Sequence, residues 1–244
     1  MPYRRKELIN GEIYHIVHRR IEGNLMFKDI DDYYRGIFSI YEFNNARAVN
    51  IKDRRKARLI EKSRERVSGF LKSLVADSRE RLVNILCFCF MPNHIHLLVR
   101  QLREKGISKF MNKFGAGYPS YFYEKYGLKG KGYFFQGRFK SVLIKTEEQV
   151  KNIFVYIHAN PLAITEPNWK EKGIQDIDRA VGFLEKYKWS SYLDYIGKKN
   201  FPSIIKEEKE YLSEIMGGEQ GCREFTENWI RYKKEIKESN LILE

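Results

Sequence analysis

Two histidines stand two residues apart in MPNHIHLLV, residues 91–99. On an extended strand alternate side chains point the same way. His94 and His96 therefore share a face, about 7 Å apart along the backbone, with Ile95 on the other. Imidazoles placed like this can converge on one cation. The same spacing would also serve two polar residues on the solvent side of a half-exposed strand. Cys87 and Cys89 lie just upstream, but C-x-C-x4-H-x-H is not a usual zinc spacing. Along one continuous strand the odd-numbered cysteines would face away from the even-numbered histidines. Only a bulge at Pro92-Asn93 could reunite them.

A second segment, VKNIFVYIHANP at residues 150–161, has helical spacing. Val150, Ile153, Phe154 and Ile157 form one apolar stripe that must face a core. Tyr156 and Asn160 fall one turn apart on its flank, with Gln149. A tyrosine in such a place commonly fills space with its hydroxyl in water. The chain has 16 tyrosines, so geometry alone does not single this one out.

The elements that would carry these residues follow from periodicity. Glu12–Val17 reads as a strand and Asp31–Asn45 as a helix. Lys52–Val75 is a charged helical stretch. Leu82–Phe90 and His94–Gln101 are β-rich runs, and the proline between them predicts a turn or bulge. Ile107–Tyr126 reads as a helix in which Pro119 argues for a kink. GLKGKG at 127–132 is a basic loop, and Arg138–Lys145 a strand. Thr146 is a good N-cap, and Glu147 and Glu148 suit a helix start. Pro161 ends that helix near Asn160. Strands and helices in this order predict an α+β fold: a ferredoxin-like antiparallel sheet with helices packed on one face. A domain over 1–165 would carry a basic helical insertion at about 47–80, and 166–244 would be a helical C-terminal extension.

Composition bounds the function. Among 244 residues, 45 are basic and 32 acidic, a net charge of +13, and 14% are aromatic. That aromatic content excludes a disordered tail and favours a sizeable core. The longest apolar run, Ile85–Met91, is too short to cross a bilayer. No secretory signal is visible, and three cysteines do not make a disulfide framework, so a soluble cytoplasmic protein is expected. The charge is segregated. Residues 51–81 hold 11 basic against 5 acidic, residues 100–145 hold 11 against 2, and the last 44 residues reverse to 7 against 10. This pattern favours a polyanionic partner, usually nucleic acid.

Together, MPNHIHLL (91–98), FFQGRFKS (134–141) and YIHANP (156–161) resemble the single-tyrosine HUH transposases of the IS200-like superfamily, and most of all the REP-associated tyrosine transposases. GEIYHIVHRRIEGNLMFKDIDDYYRGI (11–37) is also similar to that family's first strand and helix. The resemblance covers about residues 8–165, without the 47–80 region, which is longer and more basic than the family's usual link. KYKWSSYLDYIG (186–197) resembles tails of the REP-associated branch, with Trp189 and Tyr192 read as packing residues.

The resemblance implies an enzyme that cleaves and rejoins single-stranded DNA. His94, His96 and Asn160 would hold a divalent metal, Mg²⁺ or Mn²⁺, and Tyr156 would be the nucleophile forming a 5′-phosphotyrosine. Gln136, Arg138 and Lys140 fall in the family's QGRF segment and would contact DNA or scaffold. Lys125, Lys129 and Lys131 would contact phosphates. The implied partner is single-stranded DNA with hairpin or palindromic repeats, with no membrane; a homodimer and a monomer both stay open. His15, His18 and His158 match no metal position. A non-catalytic DNA- or RNA-binding regulator on the same fold is the alternative.

Overall fold

The computed structural model describes residues 7–56, 60, 79–128 and 132–236. Four strands, β1 (Ile13–Arg19), β2 (Val83–Met91), β3 (His94–Gln101) and β4 (Lys140–Ile144), form one sheet in the order β2-β3-β1-β4. All three neighbouring pairs are antiparallel. Helix α1 (Ile30–Glu42) joins β1 to β2, and α2 (Gly106–Tyr126) joins β3 to β4. This is the expected ferredoxin-like arrangement, a split β-α-β repeated around a central hairpin. Helix α2 continues past Pro119. Residues 51–56 of the basic stretch are helical; the rest of the charged helix expected over 52–75, from 57 on and apart from residue 60, lies outside the described residues.

The two crossover helices share one face. Phe90 on β2 stacks on Phe27, and Tyr118 of α2 meets Phe27 edge-on. Gly36 lets α1 come this close: a Cβ there would stand 2.5 Å from the Phe90 ring and 2.8 Å from Phe27. Helix α3 (Glu147–Ala159) follows β4 and packs on β2 and β3 from the other face, where His15 and His96 point. The sheet is thus covered on both sides.

Residues 91 and 94 pair directly, so Pro92-Asn93 is a two-residue turn and the two β-rich runs are a hairpin. In that hairpin Cys89 pairs with His96 and Cys87 with Leu98, which puts odd-numbered β2 residues on the face of even-numbered β3 residues. The expectation that the cysteines face away from the histidines is therefore corrected. The bulge lies instead between Ile85 and Cys87. Sharing a face does not make a zinc site, however. Both thiols are completely buried and burial pushes their pKa well up. Among the described residues no group of three or more His, Cys, Asp or Glu side chains is arranged to hold a metal.

The segment after α3 is helical: α4 (Leu162–Thr165), α5 (Trp169–Lys172), α6 (Ile177–Leu184), α7 (Tyr192–Tyr195), α8 (Pro202–Ile205), α9 (Lys209–Met216) and α10 (Gly218–Ile236). It packs closely on the sheet. Phe90 N–H donates to the Trp189 carbonyl and Ser191 N–H to the Phe88 carbonyl, closing the outer edge of β2. The Tyr187 and Tyr195 hydroxyls donate to the carbonyls of Phe90 and Leu86 at 2.7 and 2.5 Å. Buried Glu208 holds Arg100 of β3 through two hydrogen bonds. Trp189 stacks on Tyr33 and Tyr192 is buried, both as packing residues. Among the described residues no helix is long and apolar enough to cross a membrane.

Candidate active site

The hairpin turn fixes His94 and His96 at the start of β3, and their Nε2 atoms stand 3.0 Å apart with the rings nearly perpendicular. Each ring is held through its other nitrogen. His94 Nδ1 donates to Asn93 Oδ1 at 2.6 Å; an amide oxygen can only accept, so the His94 proton lies on Nδ1. His96 Nδ1 is 2.9 Å from His15 Nε2, in two nearly coplanar rings. Burial pushes the His15 pKa down to about 4, so this ring is neutral at pH 7 and its Nε2 can accept the His96 proton. With His15 as the acceptor, both Nε2 lone pairs face each other, the arrangement that a cation between them requires.

Metal-bound histidines usually have their second nitrogen held in this way. The spacing fits as well: neighbouring ligands on an octahedral ion with bonds of about 2.1 Å are roughly 3.0 Å apart. The residues present therefore fit a divalent ion that takes its remaining ligands from oxygen, as Mg²⁺ or Mn²⁺ does.

Tyr156 arrives from α3. The helix start is set by a capping box in which the Thr146 side chain accepts from Gln149 N–H, while the Gln149 side chain reaches back to the N-cap backbone. Gln149 therefore caps the helix rather than joining the site. Seven residues on, the Tyr156 ring meets His96 and His15 edge-on, with centroids 5.7 and 5.9 Å apart. The tyrosine is only 6% exposed. The expectation of a hydroxyl reaching water from the flank fails because the ring is turned onto the sheet, against His96 and His15. Asn160 is buried one turn later, and its Nδ2 donates to the Tyr156 carbonyl at 2.7 Å. This commitment leaves Oδ1 as the atom suited to a cation.

The structure thus brings His94, His96 and Tyr156 together and puts Asn160 on the same helix. Gln136, Arg138 and Lys140 are exposed at and before the start of β4. Lys125 stands apart: its ammonium lies 2.7 Å from Asp29 and 2.8 Å from Asp32, tying α2 to α1. Those ion pairs and neighbouring tyrosines outweigh desolvation and raise its pKa. Lys125 is thus neutralised in place and is a poor phosphate contact. Lys129 and Lys131 lie outside the described residues.

Sequence reasoning passed over His15. The available signal was strand parity: His15 is odd-numbered on β1, and antiparallel pairing with Val17 opposite His96 turns it to the same face. That signal needs the sheet order before it can be read. His158 stays structural, fully buried with Nε2 2.9 Å from Ser191 Oγ.

Fold and site together define an α+β protein that sets a buried tyrosine against a pair of strand-borne imidazoles. Residues 40–160 match the family model described as IS200-like transposase, and the chain belongs to that family. Its place is therefore among the DNA transposases. A solved structure of a REP-associated tyrosine transposase bound to a REP hairpin is similar at 14% identity, covering 84% of this chain and 90% of that one, with a TM-score of 0.43. No curated protein matches the chain.

Proposed function

We propose that this transposase cleaves and rejoins single-stranded DNA with Tyr156 as the nucleophile, at hairpin-forming repeats of the REP-associated kind. The observation that carries the reading is the Tyr156 ring against His96, whose Nε2 stands 3.0 Å from that of His94. The hairpin substrate rests on the sequence resemblance.

His94, His96 and Asn160 Oδ1 would hold a divalent ion, which when bound neutralises charge developing on a scissile phosphate. Asn93 and His15 keep the two imidazoles oriented. The surrounding burial excludes water that would hydrolyse the intermediate. A free phenol has a pKa of about 10 and is a weak nucleophile at neutral pH, so Tyr156 depends on this setting. Its Oη forms the bond to phosphorus as the bond from phosphorus to the 3′-oxygen breaks. The phenolic proton is lost and the leaving 3′-oxygen gains one. The product is a 5′-phosphotyrosine and a free 3′-hydroxyl, and the reverse attack rejoins the strand without ATP.

The test is incubation of the full chain with labelled single-stranded DNA from beside its gene, with Mg²⁺ or Mn²⁺. The expected result is a protein–DNA adduct that survives denaturant and is absent in Tyr156→Phe. An adduct that persists in Tyr156→Phe refutes the nucleophile. DNA binding with no adduct under either metal points to a non-catalytic regulator instead.

A further inference from the structure

The face of the sheet that carries His96 and meets Tyr156 holds few cations, and strand pairing places each of them. Odd-numbered residues of β1 share this face with even-numbered residues of β3 and β4, because Val17 pairs with His96 on one side and with Lys140 on the other. On these three strands the basic residues of that face are Arg19, Arg100 and Lys140. Arg100, at the far end of β3, is held by Glu208 through two hydrogen bonds. Lys140 is exposed but stands two strands from His96, about 10 Å away. Arg19 pairs directly with His94, which puts their Cβ atoms about 5 Å apart.

Arg19 is also uncommitted. Its neighbours turn to the opposite face, where His18 stacks on Phe135 and Arg20 lies over the rings of Phe122 and Phe134. The Arg19 side chain is exposed, and among the described residues no ion pair or hydrogen bond holds it. Its backbone is fixed on both sides. The Arg19 carbonyl accepts from Gln136 N–H at 3.0 Å, and Arg20 N–H donates to the Asn93 carbonyl at 2.9 Å. The side chain therefore starts from a rigid base beside the turn that sets His94.

The groups around it leave a role for such a cation. His94, His96 and Asn160 are uncharged as ligands, and the ion they would hold meets one oxygen of a phosphate. It offers no hydrogen-bond donor to the other non-bridging oxygen, where charge also develops as phosphorus is attacked. A guanidinium supplies a fork of N–H donors shaped for phosphate oxygens, on a stem long enough to reach from the next strand.

We propose that Arg19 is a catalytic residue of strand transfer, its guanidinium bonding the non-bridging oxygen of the scissile phosphate that the metal leaves free. The assignment rests on the cleavage reading above. Arg19 stays protonated throughout, so it neutralises charge and exchanges no proton with Tyr156 or the leaving 3′-oxygen.

Arg19→Gln in the full chain tests it, with single-turnover adduct formation followed on denaturing gels at saturating labelled single strand. The saturated rate is expected to fall about 10²- to 10³-fold. Strand binding by anisotropy, Mn²⁺ affinity by calorimetry and the melting temperature should stay near wild type, since so exposed a side chain supports neither the core nor the ion. Arg19→Lys keeps the charge and loses the fork, and should be slowed about tenfold; it carries the test if Arg19→Gln melts early. A saturated rate within about threefold of wild type overturns the role. So does a loss that saturating DNA restores, which marks an ordinary backbone contact, or one that follows weakened Mn²⁺ binding. In each of these cases a wild-type adduct leaves the strand-transfer reading standing. A wild-type chain that forms no adduct overturns both.

Discussion

Replacing His15 by Phe removes the acceptor for His96 Nδ1–H while keeping a ring of similar size in the layer. Both histidines are 1% exposed, so no water stands ready to take over the bond. A buried donor left unsatisfied costs about 1–3 kcal/mol. His96 can escape that cost by moving its proton to Nε2 or by turning its ring, and either move withdraws the lone pair that faces His94. With about 1.4 kcal/mol per factor of ten, the expected loss of divalent-ion affinity is roughly 5- to 150-fold, which brackets the 10- to 100-fold typical of outer-shell ligands. Calorimetric titration of Mn²⁺ into His15→Phe and wild type measures this directly, with thermal melting of the metal-free proteins as a control. His15→Gln, which restores an acceptor, should recover part of the affinity. If His15→Phe binds Mn²⁺ within threefold of wild type and melts at the same temperature, His15 only fills space and the orienting role is wrong.

Four further outcomes are expected. Gly36→Ala would push a methyl into the Phe90 and Phe27 rings and should destabilise by about 1–3 kcal/mol, read as a lower melting temperature with little change in DNA binding. Glu208→Ala leaves Arg100 and Asn84 without their shared partner and should cost about 1–3 kcal/mol in urea denaturation, because Arg100 keeps some access to water. The His18 pKa is pushed down by burial to about 4, so the unfolded chain takes up its proton below about pH 6.5 while the folded chain does not. Its stabilising contribution is complete above about pH 6.5 and should fall by about 1.4 kcal/mol per pH unit toward pH 4; urea midpoints of wild type that track those of His18→Phe from pH 7 to 5 would contradict this. A chain ending at residue 165 would uncover the β2 edge and the outer side of α3, and should lose cooperative unfolding by circular dichroism.

Much of the fold was legible because its signals are local. Alternation in β1 and the two hairpin runs, the Thr146 cap and Pro161 each act within a few residues, so the order of elements along the chain, approximate helix limits and the ferredoxin-like plan could be read. The histidine pair was legible as well, since strand parity between residues two apart needs no partner. The cysteine–histidine relation was misjudged because parity across a hairpin depends on the length of its turn. Lys125 could not be judged at all from spacing: Asp29 and Asp32, which hold it, lie more than 90 residues away.

The +13 charge illustrates the same division. Sequence alone fixed its sign, its segregation and the sort of partner it favours. The structure then sorted individual cations, locking Lys125 into ion pairs and leaving Arg138 exposed at the rim of an aromatic groove. Sequence by itself also determined which residue types stand two apart on a strand and one turn apart on a helix. Tertiary structure decided that Tyr156 is buried against His96, and that His15 on another strand orients that ring. Covalent spacing sets which side chains share a face. Only strand pairing and helix packing bring atoms 60 or 80 residues apart to within a hydrogen bond or a ring contact.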